Sequence, residues 1–152
     1  MLFRSVNVPT GNKDKGLGTG TTVFETFALF GQNLSRSSFV QVQTGFELPT
    51  DRTKASNAYF FRTAVGNTFT QNGKVGRAWT PMVEFLADRD LETGAKTNWD
   101  IVPEVQVTLN KRQHVRLGAG VRTPMNNRTD RSTQISLYVL WDFFDGGLRE
   151  GW

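Results

Sequence analysis

Residues 38–48, SFVQVQTGFEL, put Val40, Val42, Thr44, Phe46 and Leu48 on one side of an extended chain and Gln41, Gln43, Gly45 and Glu47 on the other. Successive side chains of a β-strand point to opposite faces, so this alternation predicts a strand with one apolar and one polar face. The pattern recurs along the chain. Tyr59, Phe61, Thr63, Val65 and Phe69 oppose Arg62, Ala64 and Gly66, and Trp99, Ile101, Val105, Val107 and Leu109 oppose Asp100, Glu104, Gln106 and Thr108. Val115, Leu117, Ala119 and Val121 oppose His114, Arg116, Gly118, Gly120 and Arg122; Ile135, Leu137, Val139, Trp141 and Phe143 oppose Gln134, Ser136 and Asp142. No window sustains the apolar spacing of an amphipathic helix.

Eight strands are predicted, at 2–8, 21–31, 38–48, 58–69, 76–87, 98–109, 114–124 and 132–144. The connections at 32–37, 70–75 and 110–113 are short, with Gln71-Asn72-Gly73-Lys74 reading as a tight hairpin turn. Those at 9–20, 49–57, 88–97 and 125–131 are long and rich in Gly, Asn, Asp and Thr. An antiparallel meander gathers the long connections at one end, the layout of outer-membrane barrels. Val8-Pro9-Thr10, Leu48-Pro49-Thr50 and Thr123-Pro124-Met125 each close an odd-numbered strand, where proline halts pairing. The segment before Pro9 is shorter than its counterparts, as expected if the chain starts inside a strand and forms the carboxy-terminal part of a larger barrel.

The chain has 152 residues, no cysteine, 15 glycines and a formal charge of +4. Disulfides and cysteine-ligated metals are excluded. The positive excess is scattered without a run, so no nucleic-acid tract is expected. No stretch reaches the roughly eighteen apolar residues of a transmembrane helix, whereas a transmembrane strand needs only about nine to eleven.

Alternation alone does not separate a membrane barrel from a soluble one; the placement of aromatics and charges bears on it. Outward-parity Tyr59, Phe85 and Trp99 are expected near the long-loop end and Phe69, Trp79, Trp141 and Phe143 near the other, resembling the aromatic girdles of the two bilayer interfaces. The opposite parity carries Gln41, Gln43, Glu47, Arg62, Glu84, Glu104, Gln106, His114, Arg116, Arg122 and Gln134, too polar for a packed soluble core without extensive pairing. These are expected to line a lumen. The fold expected is therefore an all-β, antiparallel up-and-down transmembrane β-barrel of about eight strands, whole or part of a larger barrel, occupying 1–152 as one domain. Strand two is apolar on both faces around Glu25, and its Phe24, Ala28, Phe30 face is assigned to lipid. Pro81 and Pro103 fall inside strands and are read as bulge or rim positions, with sheet edges in a soluble fold as the competing reading.

No constellation for catalysis stands out, and a non-enzymatic protein without cofactor or metal is expected. His114 has no cysteine partner for a structural zinc site. Ser132 and Ser136 have Asp130 and Asp142 for company but no histidine placed beside them. Gly16-Leu17-Gly18-Thr19-Gly20 lacks the strand-then-helix setting and the lysine of a phosphate cradle and is read as loop. Asp88, Asp90, Glu92 and Asp100 do not have the spacing of a calcium loop. Inward charges on neighbouring strands offer cross-strand pairs such as Glu47 with Arg62, and in a wide barrel they would bias the passing solutes.

The runs Gln41–Thr50 and Gln134–Phe144 look like strands of Gram-negative outer-membrane β-barrels. The strand-ending Gly-x-x-x-Pro-Thr at Gly45–Thr50 resembles uncharacterised channel-like barrels encoded in bacterial gene sets for aromatic metabolism or cytochromes. That resemblance implies export to the periplasm, insertion into the outer-membrane bilayer by the barrel assembly machinery, and either passive solute passage or a membrane sleeve for a periplasmic or lumen partner protein. It also implies an insertion signal in a final strand ending in an aromatic residue, matched by Trp141 and Phe143, although the chain continues through Gly146 and Gly147 to Trp152. Two other readings stand beside it. A soluble lipocalin-like binder of small apolar ligands would turn Val40, Ile101, Val105, Leu117 and Leu137 inward, and a barrel-embedded enzyme would need a nucleophile beside His114.

Overall fold

The computed structural model describes residues 2–11, 20–70 and 77–150. The turn at 71–74, most of the glycine-rich loop at 16–20 and Trp152 lie outside the described residues. Among the described residues nine strands form one antiparallel sheet: β1 (Leu2–Asn7), β2 (Val23–Asn33), β3 (Ser38–Pro49), β4 (Ala58–Asn67), β5 (Phe69–Thr70), β6 (Ala78–Asp90), β7 (Asn98–Thr108), β8 (Val115–Pro124) and β9 (Gln134–Trp141). Apart from β5, which pairs with β6 alone, neighbours in sequence are neighbours in the sheet, which curls into an open half-barrel with β1 and β9 as its edges. The expected antiparallel meander is present. Closure is not, since β1 and β9 do not pair with each other among the described residues. A curved antiparallel sheet of this kind serves membrane and water-soluble barrels alike.

The two interior prolines are neither bulges nor edges. Pro81 sits in β6 opposite Val105 of β7, and the β4–β6 register runs from Gly66↔Met82 to Phe69↔Trp79 of β5 without a slip. The predicted fourth strand, 58–69, is thus interrupted where it faces Pro81, which has no N–H to donate. On the other side of the strand the Thr68 backbone N–H continues the β3 register by donating to Ser37 O at 2.8 Å. Pro103 acts alike: the β7–β8 ladder passes from Ile101↔Thr123 to Glu104↔Gly120 in unchanged register. A bulge would have shifted it by one residue.

Two strand ends lie three residues from the expected ones, at 90 against 87 and at 141 against 144. β6 extends to Asp90 because Asp88 and Asp90 pair with Phe60 and Ala58, so the rim of the sheet is built from residues with loop-like polarity. The last strand stops at Trp141, short of 144. Asp142 ends it by accepting the backbone N–H of Phe144 on its side chain (3.2 Å) and that of Asp145 on its carbonyl (3.3 Å), the turn habit of aspartate. Phe143 therefore lies beyond the strand, 6.2 Å from the Trp141 ring and 4.2 Å from that of Phe144.

Partners across the sheet are staggered. The line Ala28–Thr44–Phe61–Ala87–Trp99 begins in mid-β2 and mid-β3 and arrives at the second residue of β7. Strands so sheared tilt relative to the axis of curl, as barrel geometry requires. On the concave side, glycines let large neighbours lie across them. Gly45 stands between Phe27 and Phe60, whose rings are 6.5 Å apart, and Gly118 lies under the ring of Tyr138.

A Cβ at position 45 would overlap Thr26 O and meet Phe27 Cβ at 2.6 Å, whereas one at Gly31 finds nothing nearer than 3.9 Å. Gly45→Ala should therefore cost about 1–3 kcal/mol of stability. Gly31→Ala should stay within about 0.5 kcal/mol. Denaturant titration followed by tryptophan fluorescence measures both.

Candidate functional site

The alternation read from sequence becomes two faces of the curled sheet. Gln41, Gln43, Glu47, Arg62, Glu84 and Arg122 border a half-open concave trough of about 530 Å³. Glu84, Glu104, Gln106 and Arg116 border a second hollow of about 380 Å³, and Gln134 shares a third with Arg122. These positions come from β3 through β9. The convex face carries the other parity: Phe30, Val65, Leu117 and Val121 are exposed, and along β9 Ile135, Leu137 and Val139 are 80%, 74% and 64% exposed. Val40, Ile101 and Val105 lie on that same convex face with Leu117 and Leu137. Phe24, Ala28 and Phe30 of β2 do as well, paired with Leu48, Thr44 and Val42.

The aromatic residues divide by strand end. Tyr59 and Trp99 are the second residues of β4 and β7 at the long-loop rim, and Phe46 meets Tyr59 edge-on at 5.6 Å. Phe69, its partner Trp79 and Trp141 occupy the short-turn end. Phe85 stands nearer mid-strand, opposite Thr63 and Ile101.

Ion pairs organise the upper trough. Arg62 reaches Glu47 at 3.7 Å and stacks 4.5 Å over the Phe60 ring, itself only 2% exposed. Glu25 faces its register partner Glu47 and is held by Ser5 Oγ at 2.8 Å and Asn7 Nδ2 at 2.6 Å. The Asp100 side chain is fully buried and receives both Arg122 and Arg131, while Arg122 also reaches Asp88 at 3.6 Å. Asn98 donates to Asp88 at 2.9 Å, and Asn126 accepts the Trp99 N–H at 2.8 Å, tying the loop after β8 to the β7 rim. In the loop after β3, the Thr53 hydroxyl (2.6 Å) and its amide N–H (3.0 Å) hold the Asp51 carboxyl below the usual carboxylate range.

His114 stands apart from the trough. It is 1% exposed beneath the segment after β9, with Gly147 O 2.9 Å from Nε2 and Asn110 Nδ2 3.0 Å from Nδ1. Asn110 also donates to Glu150 O at 3.0 Å, and Arg112 pairs with Glu150 at 3.1 Å. Neither Ser132 nor Ser136 is a partner of its ring; Ser136 Oγ donates to Gly120 O at 3.3 Å. The four rim acids do not gather: Asp100 is taken by arginines, Glu92 by Ser56, and no group of three or more His, Cys, Asp or Glu among the described residues is placed to hold a metal ion.

Arg131, Tyr138 and Phe60 are structural members of this face that the sequence reading did not single out, and Asp100, weighed there as a rim acid, is its buried charge. Tyr138 shares parity with Gln134 and Ser136, and its hydroxyl donates to Glu104 at 3.0 Å and meets Gln106 at 3.3 Å, spanning β9 to β7 above Gly118. Arg131 belongs to a loop, where no periodicity signals its direction. Comparison with family models, curated proteins and solved structures returns no match for this chain.

Removing the buried carboxylate leaves Arg131 without its ion-pair partner and Arg122 with Asp88 alone. Asp100→Ala should therefore cost about 3–5 kcal/mol. Arg131→Gln, which leaves Arg122 on Asp100, should cost less in the same unfolding titration.

Proposed function

We propose that the chain forms the wall, whole or in part, of a transmembrane β-barrel of the bacterial outer membrane, and that its concave face borders an aqueous path for small solutes. The observation that carries this reading is the side on which the apolar residues fall. Phe30, Val65, Leu117, Val121, Ile135, Leu137 and Val139 are exposed on the convex face, while Gln41, Gln43, Glu47, Arg62, Glu84 and Glu104 face the hollow beside Leu29, Phe60 and Leu86. In water such a convex face would be a large exposed apolar patch; against lipid acyl chains it is the expected surface. The stagger of the strands and the aromatic residues at both strand ends agree with it. Among the described residues no helix is long and apolar enough to cross a membrane, so any crossing falls to the strands. Insertion would engage the barrel assembly machinery. A sleeve around a partner protein uses the same wall and differs in leaving no open path.

The second reading is a soluble barrel-like binder of small apolar ligands. It is favoured by the half-enclosed trough itself, in which Leu29, Phe60, Leu86 and Ala87 sit among the polar groups. Purification separates the two. The membrane reading expects aggregation without detergent and quenching of Trp79, Trp99 and Trp141 by brominated lipids; a monodisperse particle in plain buffer that takes up an apolar dye would establish the second.

Neighbouring residues on opposite faces give a finer test. In bilayers Val42→Arg should lower folding stability by about 2–4 kcal/mol. Gln41→Arg, one residue away and facing the hollow, should stay within about 0.5 kcal/mol. Equal tolerance of both would count against lipid contact.

A further inference from the structure

We propose that the concave face passes cations in preference to anions, and that Glu84 and Glu104 set this preference. The inference rests on the aqueous-path reading above and names the class of solute. Glu84 and Glu104 come from adjacent strands and border the same hollow. Among the described residues neither belongs to an ion pair. Glu104 accepts the Tyr138 hydroxyl at 3.0 Å, which positions the carboxylate without neutralising it.

The arginines of this face are placed differently. Arg62 is matched by Glu47, and Arg122 and Arg131 together by Asp100 and Asp88, so their fields are largely cancelled at short range. Arg116 has no carboxylate partner among the described residues; its Nε donates to Gln113 O at 3.0 Å near the short-turn end. Matched pairs present local dipoles to a passing ion, whereas unmatched carboxylates raise the local concentration of cations in a confined polar space. The excess of unmatched charge in the middle of the hollow is therefore negative.

The experiment is reconstitution of the full chain into planar bilayers with a potassium chloride gradient. Wild type should reverse at a potential of the cation-selective sign. E84Q/E104Q, which keeps the shape of both side chains and the acceptor for Tyr138, should retain conductance and shift the reversal potential toward zero. R116Q should shift it the opposite way. Absence of wild-type conductance would overturn the aqueous-path reading itself. Conductance with an anion-selective reversal, or one that E84Q/E104Q leaves unmoved, would overturn the cation preference alone. Should E84Q/E104Q give no channels, R116Q decides, and a reversal potential that stays put or moves toward anions in that variant would sink the proposal.

Discussion

Register is the constraint on which the two-faced sheet depends. A slip of one residue in any ladder would turn every side chain of that strand to the opposite face. The separation of polar hollow from apolar exterior therefore requires each ladder to stay in phase. It does so past both Pro81 and Pro103, each of which removes one donor without adding a residue to the strand. The strand-closing motifs hold the same phase at the rim, where Thr50 N–H bonds Thr22 O at 2.9 Å and Met125 N–H bonds Trp99 O at 2.8 Å.

Once phase is held, curvature follows from volume. Side chains on a concave face converge, and glycine at 45 and 118 makes room for the rings of Phe27, Phe60 and Tyr138 to lie over the backbone. The hollow then brings charges from non-adjacent strands together: Arg122 of β8 reaches Asp88 of β6 across β7. Burial of Asp100 between Arg122 and Arg131 ties the rim of β7 to β8 and to the loop that leads into β9. The upper trough thus holds most of the ion pairs, while Glu84, which borders both hollows, and Glu104 make no ion pair among the described residues.

Much of this was legible in the linear chain because period-two alternation reports strand and face together. The parity of Gln41, Gln43 and Glu47 against Val40, Val42 and Phe46 carries directly into the structure. What stayed hidden depended on distance in sequence. Asp88 and Asp90 read as loop because their polarity reflects the rim and not the absence of pairing, and Phe143 read as strand because alternation continues past the Asp142 turn. His114 has inward parity, yet the fold of residues 145–150 beneath the sheet, which no local pattern announces, buries it at the short-turn end. The openness of the sheet between β1 and β9 has no signature in any single strand.

The absence of cysteine allows a clean labelling scan, with single cysteines placed one at a time from position 38 to 48, omitting the sterically closed Gly45, and carrying a nitroxide. Its collision rates with oxygen, which concentrates in lipid, and with a water-soluble nickel chelate report the environment of each side chain in reconstituted membranes. The account predicts opposite oscillations of period two, with oxygen highest at 40, 42, 44, 46 and 48 and nickel highest at 41, 43 and 47. Nickel access at every position, or the oscillation in reversed phase, would contradict it.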